Sequence, residues 1–194
     1  MIFRAVEDAD LISRVRHGDV EAYNLLVSRW EKRVFNYLLR LTASPDDALD
    51  LSQDAFLKAY QNIRKLDDPA RFGPWLYRIA HNEAYSLFRK RRPETALRTL
   101  SESDVASERN PAPGFSMDLS LAVTAALDRL NPEQREAVVL KVYEGFKFDE
   151  MAEVLGCPVS TVKSRLYTAL DLLKAELAPV SARTVPTRSV PRGN

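Results

Sequence analysis

Apolar residues return at intervals of three and four along most of the chain. The longest such stripe is Val20, Tyr23, Leu26, Val27, Trp30, Val34, Tyr37, Leu38 and Leu41, the spacing of one helix face. No stretch alternates apolar with polar residues as a half-buried strand would, and no segment repeats. The pattern predicts an all-α fold. Leu11, Ile12 and Val15 make a short face that Gly18 can end, and Asp19 can cap the long stripe. Ser44-Pro45-Asp46-Asp47 starts another helix, with a serine cap, proline in the first turn and carboxylates at the positive dipole end. That helix is expected to run to about Ile63. After a loop at Asp67-Asp68-Pro69, a helix is expected from Pro74 to about Arg91. Ser120–Leu130, Pro132–Tyr143, Phe148–Leu155 and Ser160–Leu177 follow.

Between these helices the composition changes. Pro93–Met117 holds Pro93, Pro111, Pro113 and Gly114 among Ser, Glu and Asp and reads as a linker. The expected organisation is a helical bundle over 1–93, a flexible linker over 94–117, a second bundle over 118–178 and a disordered tail over 179–194. The whole chain of 194 residues carries a formal charge of +1, unevenly placed: net +3 over Met1–Pro93 and net −3 over Asp118–Ala178. The one cysteine, Cys157, cannot form an internal disulfide, and it reads as a small buried hydrophobe. The longest uncharged runs, Leu119–Leu127 and Val154–Val162, fall far short of the ~20 residues of a membrane helix. With charge already within Met1–Asp8, no signal peptide is expected, and the location expected is the cytoplasm.

Three constellations bear on function. In Phe148–Leu173, one helix is followed by Gly156, suited to a left-handed turn, and by a second helix that Ser160 is placed to cap. This is a helix-turn-helix pattern. On the second helix Val162, Leu166, Ala169, Leu170 and Leu173 share the side expected to be buried. Ser160, Thr161, Ser164, Tyr167 and Thr168 lie opposite, flanked by Lys163 and Arg165, so that cations meet phosphates and hydroxyls approach base edges. In Phe72–Arg92, Arg78, Asn82, Tyr85 and Arg89 form a stripe opposite Leu76, Ile79, Ala80, Ala84 and Leu87. Basic residues interleaved with aromatics suit single-stranded nucleic acid, because bases stack on rings; a plain αα-hairpin and ordinary core aromatics are the bland alternatives. The position of Glu83 near the apolar side has no sequence-level explanation. In the third, Asp47, Asp50 and Asp54 share a narrow face beside Leu57, a like-charge cluster that suggests a cationic partner, with Lys58 able to pair with Asp54. No nucleophile–base set, phosphate loop or metal-ligand spacing is present, so no enzyme, cofactor or metal is expected.

On these residues the chain resembles the bacterial sigma-70 family, in the extracytoplasmic-function (ECF) group that keeps only regions 2 and 4. The resemblance is carried by Leu11–Trp30, by DALDLSQDAFLKAY at Asp47–Tyr60, by FGPWLYRIAHN at Phe72–Asn82, and by Leu130–Leu173, ending in GCPVSTVKSRLYTALDLL. It implies an RNA polymerase specificity subunit with no catalytic residues. Asp47, Asp50, Gln53, Asp54 and Leu57 would dock on the β′ clamp of the core polymerase, and the linker would thread toward the polymerase active centre. Arg71, Phe72, Trp75, Arg78, Asn82, Tyr85, Ser86 and Arg89 would serve the −10 element, and Ser160, Thr161, Lys163, Ser164, Arg165, Tyr167 and Thr168 the −35 element. Promoter DNA, the core polymerase (β′ clamp and β subunit) and an anti-sigma factor are the partners implied. The sequence departs from the family pattern at Ser86, Thr168 and Leu170, and Pro69 and Pro74 stiffen the loop that would capture a base. A stand-alone helix-turn-helix regulator remains the alternative.

Overall fold

The computed structural model describes residues 7–98 and 117–184, and the described residues contain helices and no strand. In order they are α1 (Asp8–Arg16), α2 (Val20–Thr42), α3 (Pro45–Asn62), two single 3-10 turns (Ile63–Lys65 and Pro69–Arg71), α4 (Phe72–Arg98), α5 (Met117–Asp128), α6 (Pro132–Val138), α7 (Phe148–Leu155) and α8 (Val159–Thr184). A π turn, Val139–Tyr143, prolongs α6.

The caps are largely where sequence chemistry places them. Asp19 accepts from the Ala22 amide at 3.0 Å, and Ser44 accepts from the Asp47 amide at 3.3 Å with Pro45 in the first turn. Asn131 and Gln134 form a reciprocal capping box on α6. Gly18 and Gly156 take the positive φ expected of chain-reversing glycines, +93° and +60°.

Leu11, Ile12, Leu26, Val34, Tyr37, Leu38, Ala48, Ala55, Leu76 and Ala80 bring α1–α4 together around one core. Ala137, Leu140, Met151, Val154, Val162, Leu166 and Ala169 do the same for α6–α8, with α5 lying along α8.

Several expectations need correction. Val20 is exposed, because as the first residue of α2 it precedes the turn that meets the core. The fourth helix begins at Phe72 and runs through Pro93 to Arg98. The last begins at Val159 and reaches Thr184, past residue 178. Ser160 does not cap it: the Pro158 carbonyl accepts from the Thr161 and Val162 amides, which puts Ser160 inside the first turn. The fifth helix lies three residues earlier than expected at its start, at Met117, and ends at Asp128. Leu170 is exposed. Of the expected linker and tail, 99–116 and 185–194 lie outside the described residues.

The two bundles meet along a seam, with α7 packed along α4 and the end of α6 reaching α2.

Candidate nucleic-acid interface

α4 divides its surface among three environments. Leu76, Ala80 and Ala84 enter the first core. A second side, with Trp75, Arg78, Ile79, Asn82 and Glu83, faces Lys58, Asn62 and Lys65 across an open groove of about 330 Å³. A third carries Tyr77, His81 and Tyr85 toward the other bundle. Trp75, Arg78 and Asn82 are therefore brought together as expected, and Arg78 and Asn82 are exposed.

Lys58, Asn62 and Lys65 were not among the expected site residues. Their signal was present as polar residues spaced along the exposed side of α3 and its following turn. Lys58 does not pair with Asp54; its ammonium lies 2.5 Å from Glu83, which explains a carboxylate on the inner side of α4.

Other residues expected to face DNA are placed elsewhere. Phe72 is only 1% exposed and packs edge-on to Trp30, with ring centres 5.8 Å apart, so it supports the groove wall and presents no ring to a base. Gly73 lies so close to Trp30 that an added Cβ would fall 2.7 Å from its Cη2. Tyr85 turns to His81 and Phe88, at centroid distances of 4.3 and 5.7 Å. Burial, together with Glu136 nearby, pushes its hydroxyl well above the usual tyrosine range. Arg71 is bound by two carboxylates, Asp149 at 3.2 Å and Glu153 at 2.7 Å. Ser86 is half-buried and Arg89 exposed.

The acidic face of α3 is mostly free. Asp50, Gln53, Asp54 and Leu57 are all exposed, with Leu49 half exposed beside them. Asp47 differs: Arg91 holds it through two hydrogen bonds of 2.6 and 2.8 Å, which lower its pKa below the usual carboxylate range. Gln53 borders a second groove of about 560 Å³ between α2 and α3, lined by Val27, Phe35, Leu49 and Phe56 with Glu31 and Lys32 at its edge.

In the helix-turn-helix, α7 and the start of α8 present Ser160, Lys163, Ser164, Tyr167 and Thr168 to solvent, with Thr161 half-buried. The Lys163 ammonium lies 5.3 Å from the centre of the Phe148 ring. Arg165 is tied down, paired with Glu133 at 2.8 Å and 3.7 Å from the Cys157 sulfur. Cys157 is only partly buried, short of the buried hydrophobe expected, and that partial desolvation raises its thiol pKa. Among the described residues no cluster of His, Cys, Asp or Glu has the arrangement of a metal site, and no helix is long and apolar enough to cross a membrane.

Two family models match this layout: sigma-70 region 2 over residues 26–94 and sigma-70 region 4 over residues 120–173. The ECF RNA polymerase sigma-E factor of Haemophilus influenzae is 34% identical over 185 residues, covering 89% of this chain and 96% of that protein. The chain belongs to the ECF group of the sigma-70 family. The RNA polymerase sigma-H factor of Pseudomonas aeruginosa is 31% identical over 90% of this chain and 95% of its own length. Among solved structures, the sigma factor RpoE of Bartonella quintana, in complex with the anti-sigma factor NepR, is 30% identical with a TM-score of 0.69, covering 80% of this chain and 96% of that one. CnrH, in complex with the cytosolic domain of CnrY, is 26% identical with a TM-score of 0.66, over 89% and 97%. The protein is thus an RNA polymerase sigma factor with two helical domains, and the stand-alone regulator is set aside. The groove and the acidic face fall within the region 2 match, and α7 with the first half of α8 falls within the region 4 match.

Proposed function

We propose that this sigma factor docks on core polymerase through Asp50, Gln53, Asp54 and Leu57, takes a −10 base into the α3–α4 groove and reads the −35 element with the start of α8. Asp47 contributes to the docking face mainly by pairing with Arg91. The observation that carries the reading is the groove. It joins one accessible indole, Trp75, with the cations Arg78 and Lys65 and the amides of Asn62 and Asn82. A flipped base needs such a set: a ring to stack on, donors and acceptors for its edge, and positive charge for the backbone on either side. Lys163 and the exposed hydroxyls of α8 supply phosphate and base contacts in a major groove. An anti-sigma protein is a further expected partner, in line with the NepR complex of the Bartonella relative.

The test is binding of a fluorescent single-stranded −10 oligonucleotide to the reconstituted holoenzyme. Trp75→Ala is expected to weaken it by about 1–3 kcal/mol, the usual loss of one base–aromatic stack. Unchanged affinity would remove Trp75 and the groove from −10 recognition.

A further inference from the structure

Glu83 is out of place in a groove that receives DNA. Among the described residues lining that groove are three cations, Lys58, Lys65 and Arg78, and one carboxylate, Glu83. The Glu83 Oε2 lies 2.5 Å from the Lys58 ammonium, and its side chain is 18% exposed. This pair spans α3 and α4. As a clamp between the two helices it adds little, because Lys58 is half exposed and solvent screens the attraction. Toward a ligand with a phosphate at every step, an anion in the wall is unfavourable unless it meets a hydrogen-bond donor. Within a strand of DNA the donors lie on the bases.

The groove has acceptors ready on both walls. Held by Lys58 through Oε2, the Glu83 carboxylate keeps Oε1 for a ligand. On the α3 side, the Asn62 amide nitrogen donates to the Lys58 carbonyl at 2.8 Å, so its carbonyl oxygen is what remains for the groove.

We infer that Glu83 is a specificity-determining residue: its carboxylate, neutralised by Lys58, accepts a hydrogen bond from the exocyclic amine of the captured base and thereby rejects thymine. Cytosine, adenine and guanine each carry such an amine, and thymine has none. A thymine edge places keto oxygens on both sides of its single N–H. A keto oxygen set against a carboxylate brings lone pairs face to face and leaves the acceptor without a donor. Lys58 offsets the charge; without it, the carboxylate would repel the flanking phosphates. This deepens the −10 reading above and rests on it.

The experiment is a selection by the reconstituted holoenzyme from short single-stranded oligonucleotides of random sequence, with the bound fraction sequenced. At one position thymine should be depleted about ten- to a hundredfold against the preferred base, the loss of one hydrogen bond to a charged acceptor. Glu83→Gln should bring thymine back near parity there, because an amide can turn either its oxygen or its nitrogen to the base. Glu83→Ala should do so by removing the acceptor. Lys58→Ala should weaken binding of every sequence yet keep thymine depleted, since the carboxylate remains.

Thymine depletion that is absent from the unmodified holoenzyme, or unaltered in Glu83→Gln, overturns the role of Glu83. Equal loss of depletion in Lys58→Ala and Glu83→Gln also overturns it, because only a clamp makes the two variants alike. Trp75→Ala separates this inference from the reading beneath it. If Trp75→Ala erases the base preference and Glu83→Gln leaves it, the groove stands and Glu83 is not its reader. If Trp75→Ala changes nothing while Glu83→Gln readmits thymine, the stacking role of Trp75 falls and Glu83 keeps its own.

Discussion

Gly73 and Trp30 pack against each other behind the candidate −10 groove, where the Phe72 ring meets both Trp30 and the groove's Trp75. Trp30 has little freedom to move: its indole nitrogen donates to Asp8 at 2.9 Å, Phe72 and Tyr77 press on its ring, and the Arg33 guanidinium lies 4.7 Å from the ring centre. Gly73→Ala is therefore expected to destabilise the protein by about 1–3 kcal/mol, the range for overpacking a filled core. A urea titration followed by tryptophan fluorescence measures it; a loss below about 0.5 kcal/mol would mean that Trp30 yields. Single residues also show the limit of sequence reading here. The stripe Arg78, Asn82, Tyr85 and Arg89 left out Trp75, which shares the groove with Arg78 and Asn82, and periodicity could not separate these two from Tyr85, three residues past Asn82. A helix turns ~100° per residue, and that small angular difference carries Tyr85 from the groove to the seam.

At the level of helices, the exposed carboxylates of α3 allow a clean test of docking. Asp50→Lys with Asp54→Lys is expected to abolish core binding and leave thermal unfolding little changed, because neither side chain enters the core. Unaltered affinity in a titration with core would refute the docking face. For α8, Lys163→Ala should weaken −35 binding by a similar factor on every promoter, whereas Ser164 substitutions should change which promoter is preferred. A promoter-variant series showing the opposite division would mean that the helix is rotated in the groove. Arg165→Ala also removes the pair with Glu133, but that carboxylate is half exposed and stays hydrated, so the stability cost is expected to be below about 1 kcal/mol. These helices were legible where a cap and a breaker coincide: Phe148–Leu155 matches at both ends, with Gly156 closing it. They were less legible where a terminus lacks such punctuation. α4 passes Pro93, and the π turn after α6 adds a residue to the helical register that an even 3.6 period cannot register.

For the molecule as a whole, duplex affinity comes largely from neutralised phosphates, and the region 4 segment has net charge −3. The free chain is expected to shift promoter DNA poorly at physiological salt and to bind it tightly and specifically once core is added, because core makes the two contacts effectively intramolecular. Tight specific binding without core, unimproved by adding it, would contradict this. The opposite charges of the two segments were visible in the sequence, but the seam was not. Tyr37 and Glu136 are 99 residues apart, and Arg33 and Glu144 are 111 apart. No local pattern reports a pairing at that range.

α4 lines the groove with one side and the seam with another. A hybrid that joins residues 1–98 of this chain to the second half of a relative would keep the candidate groove and replace the residues that meet Tyr37, His81 and Arg71. On the reading proposed above, it would keep the −10 contacts of the groove. Exchanging the second half therefore alters the contacts on one side of α4 and leaves the groove on its other side as it was.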